Sequence, residues 1–137
     1  SLETGIANFN VVVDGHTLNN YSADGIILST PTGSTGYNLS AGGPLVLPIA
    51  DIVLATPICA HTLNSRTIVL PASVTTEIVC IGGSLEKTRI SYATVDGEQG
   101  VMLEEGDVVR ASRAQGSAKI IRTNKTSFIE TLSRKMR

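Results

Sequence analysis

The sequence predicts an all-β domain, mainly an antiparallel β-sandwich-like fold, on three observations. Short runs of apolar or alternating residues recur along the chain, which is typical of short strands. Turn pairs such as Asp14-Gly15 and Asp96-Gly97 separate these runs, as they do in β-hairpins. Helical segments do not alternate with the runs, which excludes a doubly wound parallel sheet. The 137 residues have the length of one domain, so we take residues 1–137 as a single unit.

Strands are predicted wherever an apolar or alternating run lies between turn residues. The run at 26–28 is apolar on both faces, so we expect it in the interior. Pro44, Pro48 and Pro57 bracket the runs at 45–47 and 52–55 and should confine them to strand ends or sheet edges. In chain order the predicted strands and short apolar runs are 9–13, 16–21, 26–28, 45–47, 52–55, 68–70, 74–81, 89–95, 101–103, 108–113 and 118–123.

Two helices are predicted. A short one follows the loop at 30–37, with Ser34 or Thr35 as its cap and Gly42-Gly43-Pro44 as its end. A second lies near the carboxyl end, where Ser127 to Glu130 form a capping box. Its apolar face recurs every four residues, at Phe128, Leu132 and Met136.

Composition excludes several classes of function. The net charge of −1 and the aromatic content of 4% argue against nucleic-acid binding. No apolar run approaches the roughly 18 residues of a membrane helix, so no membrane partner is expected. Cys59 and Cys80 both lie among apolar neighbours and are expected to be buried thiols in a reducing cytoplasm. Neither belongs to a C-x-x-C pair, so no zinc site is predicted.

Residues 24–44 form the stretch with the strongest indication of ligand binding. A strand there runs into a loop of glycines and small hydroxyl residues, which buries little apolar area but presents N–H groups and hydroxyls. Most such loops are solvent turns, and that alternative stays open on spacing alone. Neither a G-x-G-x-x-G fingerprint nor a P-loop is present.

The segments in and around this loop resemble the NAD kinase family. The resemblance rests on TPTGSTGY at 30–37 between ADGIILS and SAGGP, on CAHTLNSRTIVLP at 59–71, on VDGE at 95–98 and on RTNKTSFIETLSRK at 122–135. It covers nearly the whole chain in the family's order. The chain departs from the family at Gly36, where many members carry alanine, and at Ala60, where proline is usual.

The resemblance implies a set of dinucleotide-binding residues. Asp24 would accept hydrogen bonds from the nicotinamide carboxamide, and Thr35 would bond the adenine edge. Asp96 would face the transferred phosphate and ribose, often from a neighbouring subunit. The full predicted set of substrate-binding residues is Asp24, Thr32, Ser34, Thr35, Gly36, Tyr37, Ser40 and Asp96.

Structural alternatives apply to several of these positions. Asp24 and Asp96 are also ordinary turn residues, and Tyr37 fits equally well as a core aromatic with a bonded hydroxyl. His61 and Arg66 are interpreted as structural, with a buried bond to a carboxylate or carbonyl explaining Arg66.

The activity implied is phosphoryl transfer from ATP or polyphosphate, with Mg²⁺, to the 2′-hydroxyl of the adenosine ribose of NAD. The family's Gly-Gly-Asp-Gly loop and Asn-Glu pair do not occur in these 137 residues. We therefore expect a carboxy-terminal domain that carries no catalytic residue, is inactive alone, and belongs to a cytoplasmic homodimer or homotetramer. Three alternatives remain: a lipid-kinase-like domain of the same superfamily, a non-catalytic binding or assembly module, and a carbohydrate- or partner-binding β-sandwich.

Overall fold

The structure, a computed structural model, describes residues 7–61, 65–82, 91–116 and 128–136. Strands dominate these residues, and three short helical elements accompany them. The strands are β1 (Ala7–Val13), β2 (His16–Ala23), β3 (Gly25–Ser29), β4 (Ile52–Ile58), β5 (Ile68–Pro71), β6 (Thr76–Gly82), β7 (Ser91–Ala93), β8 (Val101–Leu103) and β9 (Val108–Ala111). The helical elements are a 3₁₀ turn (Thr32–Thr35), α1 (Tyr37–Ser40) and α2 (Phe128–Lys135).

The strands form three antiparallel groups. The four-stranded sheet has the order β2-β1-β6-β9, and the three-stranded sheet has the order β3-β4-β5. Within the described residues, strands β7 and β8 pair with each other and form a two-stranded ribbon. The prediction of an all-β domain with a short helix after the loop at 30–37 and a carboxy-terminal helix is confirmed.

The β1–β2 hairpin turns at the predicted pair. Asp14 has φ +46° and Gly15 has φ +81°, the two positive values that a type I′ turn requires. The Asp14 backbone N–H donates to the Thr75 carbonyl at 3.0 Å, and the Asp14 carboxylate accepts from the Thr75 N–H at 2.8 Å. The turn is thereby fixed to the start of β6.

The core lies on the inner face of the four-stranded sheet, where side chains alternate between buried and half-buried. Its buried members are Ala7, Phe9, Val11, Tyr21, Ala23, Ile78 and Cys80. Half-buried Ile26, Leu28 and Ile68 from the three-stranded sheet pack against it. The two sheets therefore stack as a sandwich, and the side chains of β6 alternate between buried and half-buried over most of its length.

The prediction that prolines confine the run at 52–55 to a strand end or a sheet edge was wrong for β4. This strand includes Pro57, yet it is the central strand between β3 and β5. Among the described residues β5 pairs with Ile52–Ala55 and ends before Pro57, so β3 is the strand that lies beside Pro57 and no hydrogen bond from a proline N–H is needed towards β5. β3 lies at the edge of this sheet as far as the described residues show, and its side chains are half-buried except for the buried Ser29, whereas an interior strand was expected.

Other predicted bounds agree to within a few residues. The run at 45–47 forms no strand, the strand expected at 89–95 is seen as Ser91–Ala93, and the one expected at 108–113 ends at Ala111. The strand predicted at 118–123 and the cap Ser127 lie outside the described residues. None of the helices in the described part has the length and hydropathy needed to cross a membrane.

Candidate functional site

The loop after β3 folds back along the three-stranded sheet. It forms the 3₁₀ turn and α1, and it then reverses at Gly42, which has φ +84°. The Asn38 side chain on α1 accepts a hydrogen bond from the Thr56 hydroxyl at 2.6 Å. Thr56 pairs with Ile27, so α1 lies over the middle of the sheet rather than beyond the end of β3.

This return brings the loop towards Asp24. The Asp24 backbone N–H donates to the Ile58 carbonyl at 2.9 Å. Ile58 lies two residues beyond Thr56 on β4, which corresponds to about 7 Å along a strand. Asp24 and α1 therefore lie on neighbouring parts of one sheet, although five residues of β3 separate Asp24 from the start of the loop.

Most of the residues predicted to bind substrate are exposed. Asp24, Thr32, Gly36 and Ser40 are exposed, as is Tyr37, whose exposed fraction is 63%. This excludes Tyr37 as a core aromatic. Thr35 is half-buried, and its hydroxyl donates to the Thr32 carbonyl at 3.4 Å, which leaves its lone pairs available to a donor.

Ser34 differs from this set because its side chain is fully buried. Its hydroxyl donates to the Pro31 carbonyl at 2.6 Å and accepts from the Val46 N–H at 3.1 Å. The geometry thus gives Ser34 a part in the architecture of the loop, and its contact with substrate stays a prediction. It also does not cap α1: neither helical element has a side-chain cap.

Sequence reasoning missed Asn38, the buried residue of α1. Its side-chain amide donates to the carbonyls of Ser34 and Pro44, at 3.4 and 3.2 Å, in addition to accepting from Thr56. The helix buries its amide residue while its neighbours Tyr37 and Leu39 are exposed, the reverse of an amphipathic pattern. No hydrophobic periodicity therefore marks Asn38 in the sequence.

Asp96 lies in an exposed turn in the β7–β8 connection. Asp96 has φ +50° and Gly97 has φ +76°, and the Glu98 N–H donates to the Val95 carbonyl at 3.0 Å, so a type I′ turn is formed as predicted. No hydrogen bond joins this turn to the loop after β3 in the part of the chain described.

Two predictions about the segment after β4 were wrong. Cys59 is exposed because the chain leaves the sheet there with φ +47°, whereas Cys80 is buried as expected. Arg66 is exposed, and its backbone carbonyl accepts the Tyr21 hydroxyl at 3.1 Å while its guanidinium has no bond within the described residues. The His61 N–H donates to the Ser22 carbonyl at 3.0 Å, so backbone bonds anchor the segment.

A family model supports the motif resemblance. The model of the ATP-NAD kinase C-terminal domain matches residues 2–123. The chain belongs to this family.

Curated NAD kinases match along nearly all of the chain. The NAD kinase of Agathobacter rectalis is 44% identical over 131 residues, 96% of this chain and 46% of that protein. The NAD kinase of Geobacter metallireducens is 42% identical over 132 residues, 96% of this chain and 45% of that protein. The chain thus spans a little under half the length of these relatives.

Two solved structures share the fold. Yeast NADH kinase, solved in complex with NADH, superimposes with a TM-score of 0.76 at 35% identity, covering 88% of this chain and 34% of that one. The NAD kinase of Archaeoglobus fulgidus, solved in complex with ATP, has a TM-score of 0.70 at 24% identity, covering 84% of this chain and 43% of that one. At that identity the second structure supports the fold alone.

The described residues of this NAD kinase domain do not by themselves form a metal site. No three His, Cys, Asp or Glu side chains among them are grouped so as to hold an ion. We therefore assign no Mg²⁺ ligand to these residues.

Proposed function

We propose that this chain is the dinucleotide-binding domain of an NAD kinase. Such an enzyme transfers a phosphoryl group from ATP or polyphosphate to the 2′-hydroxyl of the adenosine ribose of NAD. Family membership and the NADH bound to the yeast relative support this proposal. The dinucleotide would bind where the loop after β3 lies beside Asp24.

The observation that carries the proposal is the exposed face of that loop. Tyr37 and Leu39, which an ordinary helix would bury, are exposed, while the polar Ser34 and Asn38 are buried beneath them. A solvent turn has no need of a buried polar scaffold, whereas a ligand site needs fixed donors and acceptors.

The accessible groups of this region have a chemistry suited to parts of NAD. The Asp24 carboxylate is a pure acceptor and can hold the amide hydrogens of the nicotinamide carboxamide. The Thr35 hydroxyl, which donates within the loop, can accept from the adenine amino group. Tyr37, Gly36 and Ser40 would line the nicotinamide side, and Thr32 lies exposed at the start of the 3₁₀ turn.

The chemical step is proposed to need groups beyond the described residues. We assign none of them as a catalytic residue, and we expect the 137-residue chain to bind NAD without phosphorylating it. Mg²⁺ belongs to the proposal only with the phosphoryl donor, because nucleotide phosphates bring this ion to such sites. Asp96 is proposed to act at the site of a neighbouring subunit.

Calorimetric titration of NAD into the chain tests the proposal. Removing the charge in Asp24→Asn should weaken binding by about tenfold or more, because hydrogen bonds to charged groups are the stronger ones. The control is Glu77→Gln, which removes one partner of the exposed Arg110–Glu77 ion pair on the other sheet. Its affinity should stay within about twofold of the unsubstituted chain. If the unsubstituted, folded chain gives no heat of binding, the proposal is refuted and a non-catalytic module is favoured.

Cys59 provides a readout of where NAD binds. Its exposed thiol follows Ile58, the residue that bonds Asp24, whereas Cys80 is buried. A bound dinucleotide should slow the reaction of Cys59 with a thiol reagent. Binding that leaves this rate unchanged would put the dinucleotide elsewhere on the chain.

A homodimer or homotetramer in the cytoplasm is part of the same proposal. Tyr92 and Met102 lie opposite each other on the β7–β8 ribbon with exposed fractions of 60% and 56%. A pair of exposed, large apolar side chains on one face supports the burial of this face of the ribbon in an assembly. Light scattering after gel filtration would give the molar mass, and a single chain at micromolar concentration would contradict the assembly.

A further inference from the structure

The helix α1 places one polar side chain where an apolar one is usual. Asn38 has an exposed fraction of 1%, and its amide makes three hydrogen bonds, to the Ser34 and Pro44 carbonyls and from the Thr56 hydroxyl. These partners lie before the helix, after it, and on the central strand β4. One side chain therefore connects both arms of the loop to the sheet.

Chemistry fixes the orientation of this amide. The carbonyls of Ser34 and Pro44 can only accept, so the NH₂ group faces them and Oδ1 faces Thr56. Thr56 accepts in turn from the Thr67 hydroxyl at 3.2 Å, which leaves its own proton for Asn38. Both donors of the amide and its acceptor are thus used, and each bond in the chain polarises the next.

Gly43 closes the remaining side of Asn38. A Cβ added at Gly43 would lie 2.4 Å from Oδ1, 2.5 Å from Nδ2 and 2.6 Å from Cγ of Asn38. The backbone after α1 therefore packs directly on the amide, with no room for a side chain.

We propose that Asn38 is a positioning residue for the dinucleotide: its buried bonds hold α1 so that Tyr37 and Ser40 face the ligand. The proposal rests on the function proposed above. A four-residue helix cannot maintain its own orientation, since isolated helices of fewer than about 12 residues are marginal in water. The side-chain amide supplies the fixed attachment that packing supplies to longer helices. Asn38 itself is buried, so it acts through its neighbours.

The experiment compares Asn38→Ala, Thr56→Val and Thr56→Ser by NAD calorimetry and thermal unfolding. Asn38→Ala should weaken NAD binding about tenfold, since three bonds that orient the site are lost. Thr56→Val keeps the shape but removes the hydroxyl donor, and should weaken binding about fivefold. Thr56→Ser keeps the hydroxyl and should restore binding to within about twofold.

A double-mutant cycle and a control separate positioning from general stability. Because the Thr56 hydroxyl is proposed to act through its bond to Asn38, Asn38→Ala with Thr56→Val should bind NAD about as well as Asn38→Ala alone. Ile78→Val, which truncates the core of the other sheet, should lower the melting temperature without changing NAD affinity.

The outcomes are distinct. If the unsubstituted chain binds NAD and Asn38→Ala binds it equally well, the inference is overturned and the proposed function stands. If Ile78→Val and Asn38→Ala lose affinity in proportion to their loss of stability, the role of Asn38 is purely structural and the inference is again overturned. If the unsubstituted chain does not bind NAD, the proposed function fails and the inference fails with it.

Discussion

The two buried regions of this domain are stabilised in opposite ways. Beneath the four-stranded sheet lies an apolar core of alternating side chains, with Phe9, Val11 and Ile78 among its members. Beneath the loop at 30–44 lie polar groups, the Ser34 hydroxyl and the Asn38 amide, each satisfied by hydrogen bonds. The first region depends on the area removed from water, and the second on the direction of a few bonds.

This difference separates what stabilises the fold from what shapes the candidate site. Apolar packing tolerates substitutions of similar volume, because burial is not directional. A buried amide tolerates few, because a lost partner leaves the other group unsatisfied. Substitutions in the core should therefore change stability alone, and those under the loop should also change ligand affinity.

The largest effect is expected in the core. Ile78→Ala should lower the free energy of unfolding by about 2–5 kcal/mol, and Ile78→Val by about 0.5–1.5 kcal/mol, because a buried side chain is truncated. Urea titration measures both values. Neither variant should alter NAD affinity at temperatures where the protein is folded, since Ile78 pairs with Val11 and Val109 on the sheet away from the loop. A parallel loss of affinity would remove the distinction between the two regions.

An intermediate effect is expected at Gly43. In Gly43→Ala the added methyl group would overlap Asn38, so the free energy of unfolding should fall by about 1–3 kcal/mol. NAD affinity should fall with it, because the amide that holds α1 must move. Gly116→Ala is the matched control: a Cβ there meets nothing within 4 Å, and stability should stay within about 0.5 kcal/mol. Unchanged NAD affinity in Gly43→Ala would show that the loop tolerates displacement of its scaffold.

The smallest effect is a pH dependence from the apolar core. Burial, and then the negative charge of Asp107, raise the pKa of the Cys80 thiol. The unfolded chain therefore loses this proton first as pH rises above about 8.5, the ordinary pKa of a thiol, and stability falls towards the higher pKa of the folded state. Urea titrations at pH 7 to 10 should show this fall, and the Cys80→Ala variant should show less of it. Equal slopes for the two proteins would contradict the prediction.

Most of the fold was predictable from local pattern. The Asp-Gly pairs at 14–15 and 96–97 both adopt the two positive φ values expected of them, and Cys80 on β6 is buried as expected. The role of β4 was not predictable from local pattern, because Pro57 is compatible with a central strand only where β5 has already ended. The point at which one strand ends beside its neighbour is set by tertiary structure, and local sequence patterns do not encode it.

The sequence predicted which segment forms the candidate site, but it did not predict the hydrogen bonds that hold that segment together. A hydroxyl- and glycine-rich loop indicated where a ligand would bind, and the exposure of Tyr37 agrees with that interpretation. Binding by the exposed residues stays a prediction. The sequence could not predict which hydroxyls of the loop are exposed and which are buried. Ser34 and Thr35 have similar side chains, and they differ in the direction that the 3₁₀ turn gives each of them. Asn38 was not predicted either, because a single buried amide leaves no hydrophobic pattern in the sequence.

The bonds from Thr67 to Thr56 and from Thr56 to Asn38 span 11 and 18 residues of sequence. In evolution a change at one of these three positions leaves an unsatisfied partner at the next, so replacements should be accepted in sets. Across related proteins we therefore expect positions 38, 56 and 67 to covary, while the apolar positions of β1 and β6 drift independently within a constraint on volume.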